Sequence, residues 1–335
     1  MRFGFRDSCL DHATGPRHPE SPDRLRAIRE VLADCHNVEY VAGDPADVAA
    51  VRAVHDDDYV EALQKFCEDG GGNWDADTVA VPATWDAALA SAGLARWAAI
   101  EALDGADGRN TPFSIGRPPG HHAVWNDAMG FCFFNNIALA AQYAIDEGAA
   151  ERVAIFDWDV HHGNGTQDIF YDRGDVFFAS IHEDGLYPGT GHAHETGEGA
   201  GEGTTLNVAF SPGAGEAEYH AAVDQVIGPS IRSFDPDLLL VSAGFDAHEH
   251  DPISRMRVPT EGYGRLAAAV RDLADDAGAA LAFVLEGGYG LDTLSQSVKT
   301  VHEVFDGYDP EPFEGDVDPE AQGLLDDLTA QGFGS

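Results

Sequence analysis

Short apolar runs rich in β-branched and aromatic residues alternate along the chain with longer segments in which apolar residues recur at the 3.6-residue period of a helix. The runs that predict strands are 153–158, 176–181, 205–210, 238–242 and 281–285. The segments that predict helices are 22–33, 84–103, 135–147, 216–233, 260–277 and 291–305. Because the strand runs are apolar on both faces, we expect an α/β fold whose parallel sheet is covered by helices on both sides.

This alternation continues to residue 305 without a composition break, a Pro/Ser-rich linker or an internal repeat. It predicts a single domain over residues 1–305. The last segment, 306–335, is acidic and interrupted by Gly and Pro, with a short helical pattern near 321–329. We expect this segment to be a tail that is folded over the surface or partly disordered.

The charge balance is strongly acidic, because 19 Lys and Arg stand against 59 Asp and Glu, a formal net charge of −40. A surface of this sign repels a phosphate backbone, which excludes direct nucleic-acid binding. The 44% hydrophobic content supplies enough apolar material for a packed core. Such acidity suits a cytosol with molar salt, where the Debye length falls to about 3 Å, and it indicates a halophilic source.

The four cysteines are far apart and form no Cys-x-x-Cys pair, which argues against a disulfide framework and a thiolate zinc site. Charged residues stand where a signal peptide would have its apolar run, and no uncharged apolar stretch approaches about 18 residues. We therefore expect a soluble, cytoplasmic protein in a reducing compartment, with no membrane partner.

Polar residues follow three of the predicted strands. Asp157 and Asp159 lie at the end of the first run, Asp246 follows the fourth, and Glu286 follows the fifth. In open parallel sheets, ligands bind just beyond the carboxyl ends of the strands. We expect these three strand ends to converge on one site.

Asp157, Asp159 and His161 alternate with apolar residues, so at strand period their side chains would share one face. Two carboxylates and an imidazole that point into an apolar pocket are costly to bury unless a cation neutralises them. This pattern favours a metal site, with Asp246 as a further ligand. The competing interpretation is an exposed strand end with chance acids in a very acidic protein, and Asp246 alone would more often be a helix cap or a loop acid.

The segment 116–123 has two Pro residues flanked by Gly residues, which make a rigid turn, and this turn carries two adjacent histidines, His121 and His122. Neutral imidazoles beside a metal are suited to accept a proton from its bound water. Asp157 and Asn164 are available to hold one imidazole each. Considered alone, a histidine pair in a loop is more often structural than catalytic.

The glycine-rich turn at 286–290 is tight enough to direct the Tyr289 hydroxyl inward, where a phenol can donate a hydrogen bond to a developing oxyanion. A glycine turn with a packed tyrosine is an equally good interpretation of this segment alone.

Six ordered motifs make the chain resemble the histone deacetylase superfamily, in particular its class II-like members. The motifs are RPPGHH at 117–122, GFCFFNN at 130–136, DWDVHHGNGT at 157–166, YPGTG at 187–191, SAGFD at 242–246 and EGGY at 286–289. The segment HPESPDRL at 18–25 also resembles the N-terminal motif of that family. The resemblance extends in order from about residue 12 to about residue 305 without a missing block.

The resemblance implies an arginase/deacetylase-like fold with a central parallel sheet of about eight strands, and a metal-dependent deacetylase that hydrolyses linear amides. The implied zinc ligands are Asp159, His161 and Asp246. The implied acid/base pair is His121 and His122, oriented by Asp157 and Asn164. Tyr289 would polarise the acyl carbonyl as water, activated by the metal and the histidines, attacks it.

The resemblance also implies a narrow tunnel for an acetyl-lysine arm, lined by Phe131 and Tyr187 with Gly130 beside them. Arg24 would lie near an internal cavity for the leaving acetate. Structural potassium would be bound near Asp157, Asp159, His161 and Ser180, with a second site near Phe170, Arg173 and Val176. The catalytic metal would be Zn²⁺, or Fe²⁺ in the cell.

Three alternatives compete with a lysine deacetylase. Ureohydrolases hold a second metal, for which His162, Gly163 and Asn164 offer no ligand, and this function is rejected. Acetylpolyamine amidohydrolases resemble this chain at 251–254, but they typically carry a long insertion for which the segment between His55 and Thr84 leaves little space. The third alternative, an acetyl-lysine binding module without turnover, is disfavoured by the retained tyrosine.

An acidic rim would hold either a substrate backbone or a cationic polyamine, so it does not discriminate between these substrates. The candidates for this rim are Asp75, Asp77, Glu183 and Asp184. The sequence leaves open whether the substrate is an acetylated protein, peptide or polyamine. It also leaves open the native metal and the oligomeric state.

Overall fold

The structure, a computed structural model, describes residues 1–105 and 111–334. At its centre is an eight-stranded parallel sheet. Its strands are β1 (Arg2–Gly4), β2 (Glu39–Val41), β5 (Pro112–Ser114), β6 (Val153–Asp157), β7 (Val176–Glu183), β8 (Thr205–Phe210), β9 (Leu238–Ala243) and β10 (Ala280–Leu285). Their order across the sheet is β2-β1-β5-β10-β9-β6-β7-β8. A separate antiparallel pair consists of β3 (Gly72–Asn73) and β4 (Val79–Ala80).

The α-helices of the described residues connect the strands and cover the sheet. They are α1 (Asp23–Leu32), α2 (Val48–Arg52), α3 (Asp57–Glu68), α4 (Thr84–Asp104), α5 (Asn136–Asp146), α6 (Asn164–Phe170), α7 (Glu216–Ala222), α8 (Gly228–Phe234), α9 (Thr260–Ala277), α10 (Leu291–Phe305) and α11 (Pro319–Ala330). Within the described residues, none of these helices has the combination of length and apolar character needed to cross a bilayer.

Strand β6 shows why its residues before Asp157 are all apolar. Ala154 and Phe156 pack into the core on one face of the sheet, while Val153 and Ile155 pack into the core on the other. A strand in this position has no solvent face, so its residues do not alternate between apolar and polar. The predicted α/β fold with a doubly covered parallel sheet of about eight strands is confirmed.

The five predicted strands are all present, but β1, β2 and β5 were not predicted. Each of these three has only three residues, which is too short for hydrophobic periodicity to be recognised. They occupy one side of the sheet beyond β10, so missing them did not disturb the order of the central strands.

The helix predicted at 216–233 is divided. A π-helical turn, Val223–Ile227, separates α7 from α8, and the N–H of Gly228 donates to the carbonyl of Val223, five residues earlier. Pro229, the second residue of α8, has no N–H and its ring clashes with the carbonyl four residues before it in a regular helix. The wider turn removes this clash, and the local proline therefore explains the interruption.

The C-terminal segment carries a helix, α11, whose apolar face is packed on the main domain. Leu325 and Leu328 are buried in the same core as α7 and β8, and the backbone N–H of Gly334 donates to Ser230 Oγ at 2.9 Å. The segment before this helix is largely exposed. Helix α11 is therefore packed on the rest of the protein. The assignment of 306–335 as a tail stays a prediction, and residue 335 lies outside the described residues.

Candidate active site

The carboxyl ends of β10, β9 and β6 lie side by side, because these three strands are neighbours in the sheet. In the register of the sheet, Asp157 pairs with Ser242, and Ser242 pairs with Val284. The loop after β6 carries Asp159, the loop after β9 carries Asp246, and the loop after β10 carries Glu286. The three polar strand ends thus meet at one edge of the sheet, where ligands bind in parallel α/β folds.

Asp159, His161 and Asp246 form a compact buried group. Their potential ligand atoms all lie within 4.8 Å of one another. His161 Nδ1 lies 2.9 Å from Asp159 Oδ1 and 3.3 Å from Asp246 Oδ2. Each of the three residues is at most 8% exposed.

The group does not arise from strand periodicity, contrary to the prediction that Asp157, Asp159 and His161 share one face. Strand β6 ends at Asp157. The carboxylate of Asp157 then accepts the N–H of Asp159 at 3.0 Å, and that of Asp159 accepts the N–H of His161 at 2.9 Å. These two successive side-chain turns direct Asp159 and His161 toward Asp246, while Asp157 Oδ2 faces His121.

The residues present fit a divalent metal ion. Asp246 Oδ2 is buried and has no hydrogen-bond partner among the residues that the structure describes, so an acceptor is left over where the three ligand atoms converge. Gly244 and Gly287 line the carboxylates so closely that a Cβ on either would lie 2.1 Å from a carboxylate oxygen of Asp159 or Asp246. Two carboxylates and one imidazole leave a position free for water, as in catalytic zinc sites, and the same donors also suit Fe²⁺.

The two adjacent histidines are oriented by different partners. His121 Nδ1 lies 3.0 Å from Asp157 Oδ2, and His122 Nδ1 lies 2.8 Å from Asn164 Oδ1. Their ring centroids are 4.0 Å apart. One imidazole is therefore paired with a charged carboxylate and the other with a neutral amide.

These partners give the two histidines opposite proton affinities. Burial by itself lowers the pKa of His121, but the carboxylates of Asp159 and Asp157 outweigh it and raise the pKa to about 10. For His122, burial and the positive charges of His121 and His161 hold the pKa well below its usual range. The site thus contains one imidazole that favours its charged form and one that favours its neutral form.

The three aspartates of the site, Asp157, Asp159 and Asp246, also differ in proton affinity. Burial raises the pKa of Asp157 to about 6, although His121 opposes the shift. Burial also raises the pKa of Asp246, and the neighbouring charge of Asp159 adds to this. For Asp159, burial is outweighed by the charges of His121 and His161, which lower its pKa. A bound divalent cation would favour the ionised form of both aspartates that face it.

Aromatic rings form the walls at the entrance to this site. The rings of His122 and Tyr187 are perpendicular with centroids 5.1 Å apart, and those of Phe131 and Tyr289 are 5.8 Å apart. Gly130 has a φ of 55°, and a Cβ there would lie 2.4 Å from His122 Cδ2. Only glycine lets the backbone approach both the histidine and Tyr187 at this point.

Tyr289 follows two glycines after β10 and lies over Arg24, whose Cζ is 5.1 Å from the ring centroid. Burial raises the pKa of Tyr289 well above its usual range, although the charge of Arg24 opposes the shift. Arg24 Nε donates to the carbonyl of Gly288 at 2.7 Å, and its Nη2 contacts the carbonyl of Glu286. Arg24 therefore supports the turn that carries the phenol.

The sequence placed Glu286 at this edge of the sheet but assigned it no role in the site. Its Oε2 accepts the backbone N–H of Gly120 at 2.7 Å and that of His121 at 3.2 Å, so it fixes the turn that carries the histidines. Burial raises the pKa of Glu286 to about 7, against the opposing effect of His121. The signal that identifies it is a charged residue directly after a wholly apolar strand.

The residues expected near potassium fall into two places. Ser180 pairs with Asp157 in adjacent strands. Phe170 ends α6, its carbonyl accepts the N–H of Arg173 at 3.0 Å, and Val176 begins β7. Potassium binding at either place remains a prediction.

One candidate of the acidic rim is wrong. Glu183 is 1% exposed and accepts hydrogen bonds from the backbone N–H of Arg255 at 2.9 Å and from its Nε at 2.8 Å. It is the last residue of β7, so the sheet holds it inside the protein. Asp75 and Asp77 are exposed and their charges act on Tyr187, which places them at the entrance. Asp184 is exposed and lines a separate depression beside α11.

Comparison with known proteins establishes the family. A family model described as a histone deacetylase domain matches residues 18–305. The chain belongs to the histone deacetylase family. This confirms the resemblance found in the sequence.

Within this family, the chain is 39% identical over 309 residues to a histone deacetylase-like amidohydrolase of Pseudomonas aeruginosa, covering 86% of this chain and 81% of that protein. It is 40% identical over 298 residues to a probable deacetylase of Methanothermobacter thermautotrophicus, covering 88% of each. The crystal structure of the HDA15 HD domain superposes with a TM-score of 0.91 at 35% identity, covering 98% of this chain and 94% of that one. The two bacterial and archaeal relatives are named as an amidohydrolase and a probable deacetylase.

Proposed function

We propose that this protein is a zinc-dependent amidohydrolase that removes acetyl groups from lysine side chains of proteins or peptides. The observation that carries the proposal is the pair of differently partnered histidines, His121 and His122, beside the metal-competent group: His121 Nε2 lies 3.8 Å from Asp159 Oδ1, and the ring centroids of His122 and His161 are 5.6 Å apart. Residues Asp159, His161 and Asp246 would hold the ion. When bound, zinc supplies Lewis acidity that polarises the amide carbonyl and lowers the pKa of bound water from about 15.7 to about 7.

His122 is suited to accept the proton of the attacking water. Asn164 Oδ1 engages its Nδ1–H, so Nε2 carries the free lone pair, and its lowered pKa keeps the ring neutral. His121 is suited to remain charged beside Asp157 and to stabilise negative charge as it develops. The His122 imidazolium then gives this proton to the departing amine nitrogen as the C–N bond breaks, which yields acetate and an unmodified lysine side chain.

Tyr289 is suited to donate a hydrogen bond from its hydroxyl to the oxygen of the tetrahedral intermediate, because its raised pKa keeps the phenol protonated. Phe131 and Tyr187 present apolar faces that match the slender methylene chain of a neutral acetyl-lysine. The arrangement therefore binds the acyl arm, excludes water around it and places a donor at its carbonyl.

The test is acetate release from an acetyl-lysine peptide and from acetylated polyamines by zinc-loaded protein in concentrated KCl. We expect peptide turnover, its loss on metal chelation and its recovery on addition of zinc. Tyr289→Phe should lower kcat by about 100- to 1,000-fold with little change in KM. Tyr308→Phe, at an exposed tyrosine beyond α10, is the matched control and should leave kcat unchanged.

Two outcomes would contradict the proposal. Turnover of acetylated polyamines far above that of peptides would identify a polyamine amidohydrolase, which shares the same chemistry. Peptide binding without acetate release by the zinc-loaded protein would identify an acetyl-lysine binding module.

A further inference from the structure

The segment 251–254 is not used by the mechanism above, yet it touches two parts of the site. It lies in the loop that follows β9 and begins five residues after Asp246. Ser254 Oγ donates to the carbonyl of Asp246, and Asp251 contacts the turn that carries Tyr289. One short segment therefore links a metal-ligand candidate to the phenol.

Asp251 is 7% exposed and its carboxylate accepts three backbone N–H groups. Oδ2 accepts those of Tyr289 at 2.7 Å and Gly290 at 3.0 Å, and Oδ1 accepts that of Ile253 at 3.1 Å. No side-chain cation provides a partner in these contacts. The Asp251 carboxylate is thus hydrogen-bonded to backbone N–H groups of two loops.

The turn needs such an anchor because of its composition. Gly287 and Gly288 precede Tyr289, and Gly288 has a φ of 112°, a conformation in which glycine retains wide freedom. Arg24 holds the Gly288 carbonyl from one side, and Asp251 holds the next N–H from the other. A displacement of about 1 Å at a reacting group can cost about 100-fold in rate, so both contacts bear on catalysis.

We infer that Asp251 is a positioning residue that fixes the Tyr289 hydroxyl for the reaction by holding the backbone of residues 289 and 290. The inference rests on the proposed function for its kinetic part, while the hydrogen bonds themselves are testable without turnover. A carboxylate near the beginning of α10 also interacts favourably with that helix end, so a merely structural role must be distinguished from positioning.

The experiment is a double-mutant cycle of Asp251→Asn and Tyr289→Phe, with amide hydrogen exchange of residues 286–293 as a second readout. Asparagine has a single acceptor oxygen, and its NH₂ group would face a backbone N–H on the other side. We expect Asp251→Asn to lower kcat by about 10- to 100-fold with KM changed less than about 3-fold. In the Tyr289→Phe background the same change should cost less than about 2-fold, since the hydroxyl it positions is gone.

Asp237→Asn is the matched control. Asp237 Oδ2 likewise accepts two consecutive backbone N–H groups, from Glu151 at 2.7 Å and Arg152 at 3.0 Å, but at the amino end of β9. It should leave kcat and the exchange of residues 289 and 290 unchanged. Asp251→Glu retains the charge and the acceptors but shifts them by one methylene, and it should give a smaller loss if Asp251→Asn does not fold.

Three results decide the inference. Faster exchange at residues 289 and 290 together with a non-additive cycle supports it. An equal loss of kcat in both backgrounds, or unchanged exchange at these two amides, overturns it. Faster exchange in a protein whose wild type hydrolyses no acetylated substrate would overturn the proposed function and leave the backbone anchoring supported.

Discussion

Glu20 and Arg117 form a two-pronged ion pair that is closed to solvent on both sides. Arg117 Nη2 lies 2.6 Å from Glu20 Oε2, and its Nε contacts Oε1. The same guanidinium donates to the carbonyls of Cys9 at 2.8 Å and His12 at 3.0 Å. Because Arg117 begins the motif that carries the histidine pair, this ion pair ties the N-terminal loop to the candidate active site.

Glu20→Gln should lower the free energy of unfolding by about 3–5 kcal/mol, because it leaves the Arg117 guanidinium buried without a counter-charge. Urea unfolding at neutral pH measures the change. Glu61→Gln removes the exposed partner of Arg52 and should have little effect. Equal stability of both variants and the wild type would contradict a structural role for the buried pair.

The same carboxylate should contribute to acid unfolding. Burial alone raises the pKa of Glu20, but Arg117 outweighs it and lowers the pKa to about 2, against 4.5 for the ordinary side chain. The unfolded chain therefore binds this proton more readily, and the stabilisation is complete above pH 4.5 and lost as the pH falls toward about 2. Urea titrations over this window should show a smaller pH slope for Glu20→Gln than for the wild type. Parallel slopes would exclude this linkage.

His55 should destabilise the protein over a different pH window. Its Nδ1 donates to the carbonyl of Val124 at 3.0 Å and its Nε2 accepts the N–H of Asn135 at 2.9 Å, so the buried ring is neutral. Burial lowers the pKa of His55 to about 4 from 6.5. Between these values the unfolded chain takes up the proton, so stability falls by up to about 3 kcal/mol as the pH drops from 6.5 to 4.

His55→Gln should remove this component, and the difference between its pH slope and that of the wild type measures it. Burial also lowers the pKa of His12 to about 4. His12 therefore contributes to the pH slope in the same direction in the wild type and in His55→Gln. His36→Gln changes an exposed imidazole and serves as the control. An identical slope for His55→Gln and the wild type would show that His55 does not titrate in this way.

Gly244→Ala should impair metal binding without unfolding the protein. A Cβ at this position would lie 2.1 Å from Asp159 Oδ2, so the carboxylate must move. We expect zinc affinity, measured by competition with a chromophoric chelator, to fall by at least about 10-fold. Gly323→Ala, in α11 with nothing within 4 Å of its Cβ, should leave zinc affinity intact. Wild-type zinc affinity in Gly244→Ala would contradict the assignment of Asp159 as a ligand.

Salt should raise the thermal midpoint, because a net charge of −40 repels itself less when screened. If potassium binds near Ser180 and Phe170 as expected, KCl should stabilise more than NaCl at the same molar concentration. Differential scanning calorimetry in both salts from about 0.2 to about 3 M separates the two effects. A midpoint that does not rise would argue against a halophilic protein, and equal effects of the two salts would argue against potassium sites.

The central sheet was predictable because its strands have no solvent face. Strands β6, β8, β9 and β10 are short, largely apolar and bounded by polar residues, which leaves little ambiguity. The three-residue strands β1, β2 and β5 gain their hydrogen bonds from neighbours distant in sequence, and nothing local in them indicates a strand. The wrong placement of Glu183 at the rim has a similar cause. An acidic residue at a strand end is buried only when a partner distant in sequence, here Arg255, reaches it.

The sequence by itself determined the family and the set of chemical groups, because both depend on residue types in a fixed order along the chain. Only the tertiary structure decided which of those groups meet. It paired His121 with a carboxylate and His122 with an amide, and it directed Asp157 away from the metal-competent group. It also brought the Asp251 carboxylate within hydrogen-bond distance of the backbone N–H of Tyr289. Hydrogen bonds and charge interactions act over a few ångströms in space, and residues far apart in sequence come within that range only after the chain has folded.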